Sequence, residues 1–138
     1  MNLEPQWVVG FVDGEGGFHV AINQHPEIQL GFKVLPEFTV VQHESDAQVL
    51  HALKTYFKCG VVRRNHRNRM AFRVRSVAHL ADRVIPFFEK HHLKTRKRVE
   101  FLKFRRVVLL MQRGEHLTAE GLERIRRIAA AMNRGQSR

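Results

Sequence analysis

Four stretches of the chain have the residue pattern of strands and five have that of helices, and their order predicts the architecture. The first is a helix from about Pro5 to Asp13 or Gly14, because proline fits a first helical position, where its fixed φ and missing N–H cost nothing. It is apolar all round: Val8, Val9 and Val12 share one face, and Trp7, Gly10, Phe11 and Gly14 share the other. Phe18, Val20 and Ile22 then alternate with His19, Ala21 and Asn23 as a strand, and Gln24 to Glu27 form a turn. A second strand runs from Gln29 to Val41, with Leu30, Phe32, Val34, Phe38 and Val40 on its apolar face. Gln29, Gly31, Lys33, Leu35, Glu37 and Thr39 lie on the opposite face. Pro36 falls on the apolar parity and predicts a bulge or an exposed edge.

Ser45 and Gln48 have the spacing of a capping box for a helix with Val49, Leu50, Leu53, Tyr56 and Phe57 inward, ended by Gly60. A second hairpin follows, from Val61 to Arg64 and from Arg69 to Arg75 around a polar turn at Asn65 to Asn68. Its apolar side is Met70, Phe72 and Val74, which leaves Ala71, Arg73 and Arg75 facing outward. Ser76 caps a third helix that Pro86 ends or kinks. The basic run Lys94 to Arg98 leads into a long helix closed by Gly114, and Thr118 caps a terminal helix over about 118–133. In that last helix Leu122, Ile125, Ile128 and Met132 are placed inward and Arg124, Arg126 and Arg127 outward, followed by a polar tail from Asn133.

Charge changes the picture next. The 138 residues carry 24 Lys and Arg against 13 Asp and Glu, a formal charge of +11, which points to a polyanion and most often to nucleic acid. Arg63, Arg64, Arg67, Arg69, Arg73 and Arg75 concentrate in the second hairpin, where their mutual repulsion is relieved if phosphates or guanine edges neutralise them. On the first hairpin, His19, Asn23, Gln29, Lys33, Glu37 and Thr39 form a mixed polar face that suits base edges, and Asn65, Arg63, Arg67, Arg69, Arg73 and Arg75 extend it. One cysteine, Cys59, excludes an intrachain disulfide and a multi-cysteine zinc site. No HExxH or Cys/His metal spacing occurs among the nine histidines. The chain is expected to be a single domain over 1–138, with no membrane span and no secretory signal, in a bacterial or archaeal cytoplasm or an organelle.

The C-terminal end of the first helix carries the candidate chemistry. Asp13 and Glu15 flank Gly14 where the helix dipole is negative and carbonyls lack partners, a cluster that gains from a bound cation. Oxygen donors of this kind suit Mg²⁺, which takes one or two carboxylates together with substrate phosphates. On the outer face, Gly10 and Gly14 at i, i+4 spacing let a second helix approach closely, so Trp7, Gly10, Phe11 and Gly14 read as an interface.

The segment Val8 to Gly16, VVGFVDGEG, resembles the nine-residue motif of the LAGLIDADG homing endonucleases, and the element order resembles their αββαββα core over about residues 5–113. The resemblance implies an α+β fold whose four-stranded antiparallel sheet forms half of a DNA-binding saddle, with extra C-terminal helices. The motif occurs once, and single-motif members work as homodimers, in which a two-fold axis brings two copies of Glu15 together. The implied activity is that of an intron-encoded endonuclease, a phosphodiester hydrolase that makes a double-strand break in a long DNA target with short 3′ overhangs. The implied metal is Mg²⁺ or another divalent cation such as Mn²⁺, held by Glu15 and the carbonyl of Gly14. The resemblance gives Asp13 a structural role beside the metal and places Gln42 near the active-site water. It asks for a basic residue before the long helix, and Lys94 and Lys97 both fit that position. Asp46 stands where relatives often carry a further basic residue. Two other activities occur on this scaffold: an RNA-binding intron maturase, with intron RNA as partner, and a non-catalytic DNA-binding regulator. Retention of both Asp13 and Glu15 favours the enzyme, because carboxylates repel phosphates in a passive binder.

Overall fold

The computed structural model describes residues 1–136, with the side chains of 133–136 left aside. Its elements follow the predicted order: α1 (Pro5–Glu15), β1 (Gly16–Gln24), β2 (Phe32–His43), α2 (Ala47–Phe57), β3 (Val61–His66), β4 (Arg69–Val74), α3 (77–90), α4 (Lys97–Gln112) and α5 (Ala119–Gln136). The four strands form one antiparallel sheet in the order β1-β2-β4-β3, so the two hairpins join through β2 and β4. The predicted α+β class and the four-stranded sheet are thus both present.

Pleating decides which face is buried. Phe18, Val20, Val34, Phe38, Val40, Phe72 and Val74 share one parity and are buried, while His19, Asn23, Lys33, Glu37, Thr39 and Arg73 share the other. The helices cover the first face only. Phe18 meets Phe38, Phe88, Phe101 and Phe104 with ring centroids 5.1 to 5.8 Å apart, which ties β1 and β2 to α3 and α4. Phe38 also contacts Phe57 of α2 and Phe72 of β4. Aromatic pairs at these distances add about 0.5–1.5 kcal/mol each beyond their burial.

Several local expectations change. The strand predicted from Gln29 begins at Phe32, because residues 25–31 form a turn in which Gly31 has φ +81. Pro36 lies on the stretch of β2 beyond its pairing with β4, so it is an edge position, but it is buried and not exposed as expected, and it makes no bulge. The Ser45 capping box does not form: a 3₁₀ turn at Glu44–Asp46 precedes α2, and His43 Nδ1 accepts from the Ser45 N–H at 3.1 Å. Lys58 in the left-handed region at φ 59, rather than Gly60, ends α2. Gly60 is instead required by packing, since a Cβ there would lie 2.6 Å from the Phe72 ring and 2.8 Å from a backbone oxygen.

The turn of the second hairpin is tighter than predicted: β3 runs to His66, with a register shift between Arg64 and His66, and only Arg67 and Asn68 turn the chain. Ala71 keeps its outward parity yet is fully buried, a small residue between Val41 and Arg63 on the neighbouring strands. Ser76 caps α3 as predicted, accepting from the His79 N–H at 3.2 Å. Pro86 does not end that helix. Residues Leu80–Val84 widen into a π turn just before it, which makes room for a ring that would clash with the preceding carbonyl.

Thr118 caps α5, taking the Gly121 N–H at 3.0 Å. The helix runs to Gln136, through most of the expected tail, whose last two residues fall outside those described. Ile128 is only half-buried, and Arg126 is not free in solvent but lies over the Phe32 ring at 4.8 Å. Cys59 is buried, which pushes its thiol pKa up while Arg83 pulls it down, and it stands as a packing residue. Replacing Phe38 by alanine removes the ring shared by β2, α2, α3 and β4. That change is expected to cost about 3–5 kcal/mol in a denaturant melt, whereas a loss below about 1 kcal/mol would show that the cluster collapses around the gap.

Candidate active site and nucleic-acid surface

The site is assembled where α1 runs directly into β1. Val8, Val9 and Val12 are fully buried against the sheet, so the opposite side of α1 is left outward. There Trp7 is 43% exposed and stacks on Phe11 at 4.8 Å, and a Cβ on Gly10 or Gly14 would meet nothing within 4 Å. Gly16 must stay small, because its Cβ would fall 2.7 Å from the Val12 side chain at the helix-to-strand junction.

The two motif carboxylates have opposite situations. Asp13 accepts from the Lys94 N–H at 2.8 Å, the Thr95 N–H at 3.2 Å and the Thr95 hydroxyl at 2.8 Å. It therefore binds the end of α1 to the segment that starts α4, and the Thr95 hydroxyl in turn accepts from the Lys97 N–H at 3.2 Å. Glu15, two residues on, is exposed, and its carboxylate has no partner among the described residues. It lines an open cavity of about 700 Å³ together with Gly16, Gly17, His19 and Thr39 from the sheet and Thr95, Arg96, Lys97, Glu100 and Lys103 from α4 and its approach.

The geometry separates the two lysines. The Lys97 ammonium donates to the Gly16 carbonyl and lines the cavity, while Lys94 contributes its backbone N–H to Asp13 and lies outside it. Gln42 sits two positions beyond the Gly16–Val40 pair, toward the end of α1, and its side chain donates to the Val41 carbonyl at 3.0 Å. No pattern along the chain marks Glu100 and Lys103 as cavity residues, since both read as the polar side of an ordinary helix. Thr95 was equally silent, one hydroxyl inside a basic run.

Whether a divalent cation fits can be judged from the donors. No group of three or more His, Cys, Asp or Glu side chains is gathered to hold a metal among the described residues. One unpartnered carboxylate at a helix C-terminus, beside carbonyls that the helix leaves unsatisfied, suits an ion whose remaining positions are filled by phosphates and water. Glu15 and the Gly14 carbonyl would be its protein donors.

Away from the cavity, the outer sheet face carries the other candidates. Asn23 and Lys33 pair across β1 and β2, seven residues and roughly 20 Å along the strand from Gly16. Gln29 belongs to the turn beyond them. Arg63, Arg67 and Arg69 are exposed and without ion pairs among the described residues, so their charge faces solvent. Arg64 is turned away to Glu44 at 3.0 Å and the Arg67 carbonyl at 2.7 Å. Glu37 is engaged by Arg75 at 2.6 Å, and Asn65 accepts from Arg73.

The chain matches the family model described as LAGLIDADG endonuclease over residues 8–108. It is 35% identical over 139 residues to the probable intron-encoded endonuclease 2 of Neurospora crassa, covering 99% of this chain and 31% of that protein. The chain thus spans about a third of the length of that curated relative. The crystal structure of the homing endonuclease I-TnaI superposes with a TM-score of 0.93 at 55% identity, covering 96% of this chain and 90% of that one. The I-SmaMI LAGLIDADG homing endonuclease bound to cleaved DNA superposes with a TM-score of 0.93 at 29% identity, covering 99% of this chain and 47% of that one. I-SmaMI has also been solved on an uncleaved DNA target in the presence of calcium ions, with a TM-score of 0.91.

Hydrogen bonds to a charged acceptor contribute about 1.5–3 kcal/mol. Asp13→Ala is therefore expected to lower stability by about 2 kcal/mol in urea, and Asp13→Asn by less, since one acceptor oxygen remains. Unchanged midpoints in both variants would remove Asp13 as the tie between α1 and α4.

Proposed function

The chain belongs to the LAGLIDADG endonuclease family, and on that premise we propose that it is a site-specific DNA endonuclease, acting as a homodimer with Mg²⁺ or a similar divalent cation. The observation that carries this reading is the contrast between the two motif carboxylates: Asp13 is fully engaged in holding α1 to α4, and Glu15 is unpartnered in the cavity. A passive DNA-binding protein gains nothing from a free carboxylate among phosphates. Divalent-metal dependence is general in the family, and the choice of Mg²⁺ rests on the all-oxygen donor set of Glu15 and Gly14.

In this reading DNA lies along the open sheet face, with the exposed Arg63, Arg67 and Arg69 on its phosphates and His19, Asn23 and Lys33 toward base edges, whereas the Thr39 hydroxyl, expected there from sequence, is buried. Glu15 and the Gly14 carbonyl would hold the cation. A divalent ion there supplies neutralisation of the phosphate charge and activation of the attacking water. Lys97, fixed on the Gly16 carbonyl, presents an ammonium to the same cavity and opposes the negative charge that builds on the phosphate. Asp13 keeps Lys97 and Glu15 in register by fixing the angle between their helices, while Gln42 lies outside the cavity and shares the strand parity of Phe38 and Val40.

Each chain offers one such carboxylate, and cutting both strands calls for two. The outward face of α1 supports the pairing, because Trp7 and Phe11 are apolar and the open Gly10 and Gly14 allow close helix approach. The relatives are consistent with it: the chain covers 90% of I-TnaI but 47% of I-SmaMI, so two copies match the length of the latter.

DNA selected for binding from a random library is expected to be cut at one site with Mg²⁺, uncut in EDTA, and cut about a thousandfold more slowly by Glu15→Gln while binding persists. Tight binding with no cleavage by the wild-type chain would sink the enzyme reading. Gly10→Leu is expected to shift the sedimenting species from dimer to monomer while each chain stays folded, since a Cβ there meets nothing within 4 Å in the protomer. A wild-type chain that sediments as a monomer on DNA would overturn the pairing.

A further inference from the structure

Arg73 differs from the other arginines of the sheet face. It lies in the cross-strand row Gly17, Thr39, Arg73, Val61, and its side chain is only 22% exposed. Its Nη2 donates to Asn65 Oδ1, and its Nε lies 3.9 Å from Glu37 Oε1. Nε and Nη2 form one edge of the planar guanidinium, so protein acceptors face that edge. The end-on fork, one N–H from each terminal nitrogen, remains for a ligand. Glu37 is itself well covered, at 20% exposure, and the same Oε1 takes Arg75 Nε at 2.6 Å.

We propose that Arg73 is a specificity-determining residue that reads a guanine through this fork, and that Glu37 and Asn65 are positioning residues which aim it. The inference rests on the DNA reading above. A phosphate is the other ligand a guanidinium fork accepts. The adjacent Glu37 carboxylate repels an anion and leaves the neutral O6 and N7 acceptors of guanine unaffected. Arg73 is also held along one edge, by Asn65 and with Glu37 beside it, unlike Arg63, Arg67 and Arg69, which are exposed and without ion pairs among the described residues. Asn65 owes its place to the register shift between Arg64 and His66, where β3 departs from regular pairing. Glu37, offered by sequence as a base contact, thereby acts through Arg73.

The test is selection of binding sites from randomised duplex DNA by the wild-type chain and by Arg73→Gln, Glu37→Gln and Asn65→Ala. The wild type is expected to enrich a site with one fixed G·C pair in each half. Arg73→Gln should lose that preference by about tenfold or more at that pair alone. Glu37→Gln and Asn65→Ala should relax the same pair and leave the others. Seven-deazaguanine at the fixed position, which lacks the N7 acceptor, should weaken the wild type and leave Arg73→Gln unchanged. Melting temperatures near wild type would show that the variants fold, and a purely structural role would not move a single base preference. Equal weakening on every sequence would assign Arg73 to a phosphate and overturn the inference while the DNA reading stands. Unchanged preferences in Glu37→Gln and Asn65→Ala would remove their positioning role. Absence of any DNA binding by the wild type would overturn the DNA reading and this inference with it.

Discussion

Phe18 and Phe38 face each other across β1 and β2, 5.2 Å apart, and the rest of the structure leans on that pair. Through Phe57, Phe72, Phe88, Phe101 and Phe104 it reaches α2, β4, α3 and α4. Because these rings all lie on one side, the helices have one side of the sheet to occupy. The other side stays open, and it is the side on which the cationic and amide residues are placed by strand alternation alone.

The same packing fixes the site. Phe101 and Phe104 hold α4 under β1, which brings the N-terminal approach of α4 beside the end of α1. Asp13 closes that junction with three hydrogen bonds, two of them to backbone N–H groups ahead of a helix, where a carboxylate is favoured. The engagement of Asp13 leaves Glu15 as the one carboxylate of the motif that is available to a ligand. The pair is therefore not redundant: one acidic residue holds the junction and the other faces the cavity.

Charge follows a similar division. Arg63, Arg67 and Arg69 are exposed and without ion pairs among the described residues, which suits contacts that neutralise a backbone without reading it. Arg73 is partly covered and held by Glu37 and Asn65, which suits a contact of fixed position. A formal count of arginines on a hairpin cannot make this distinction, because it depends on which acidic and amide groups the neighbouring strands supply.

By itself the sequence determined the layers. The alternation of Phe18, Val20, Phe38 and Val40 with polar neighbours set the buried face of the sheet, and Val8, Val9 and Val12 set the inner side of α1. These are local signals, since the face a residue takes follows from its place in a short period. Departures came where competing local geometry won, as at Ser45, displaced from its cap by a 3₁₀ turn, while at Pro86 the helix continues through a π turn instead of ending. What only the tertiary structure decided was which lysine lines the cavity, which motif carboxylate is without a partner among the described residues, and which arginine is held by its neighbours. Asp13 and Lys94 are 81 residues apart, as are Gly16 and Lys97, and Arg75 is 38 from Glu37. Such pairs meet only once the sheet and helices have packed at a particular angle, and no period along the chain records that angle.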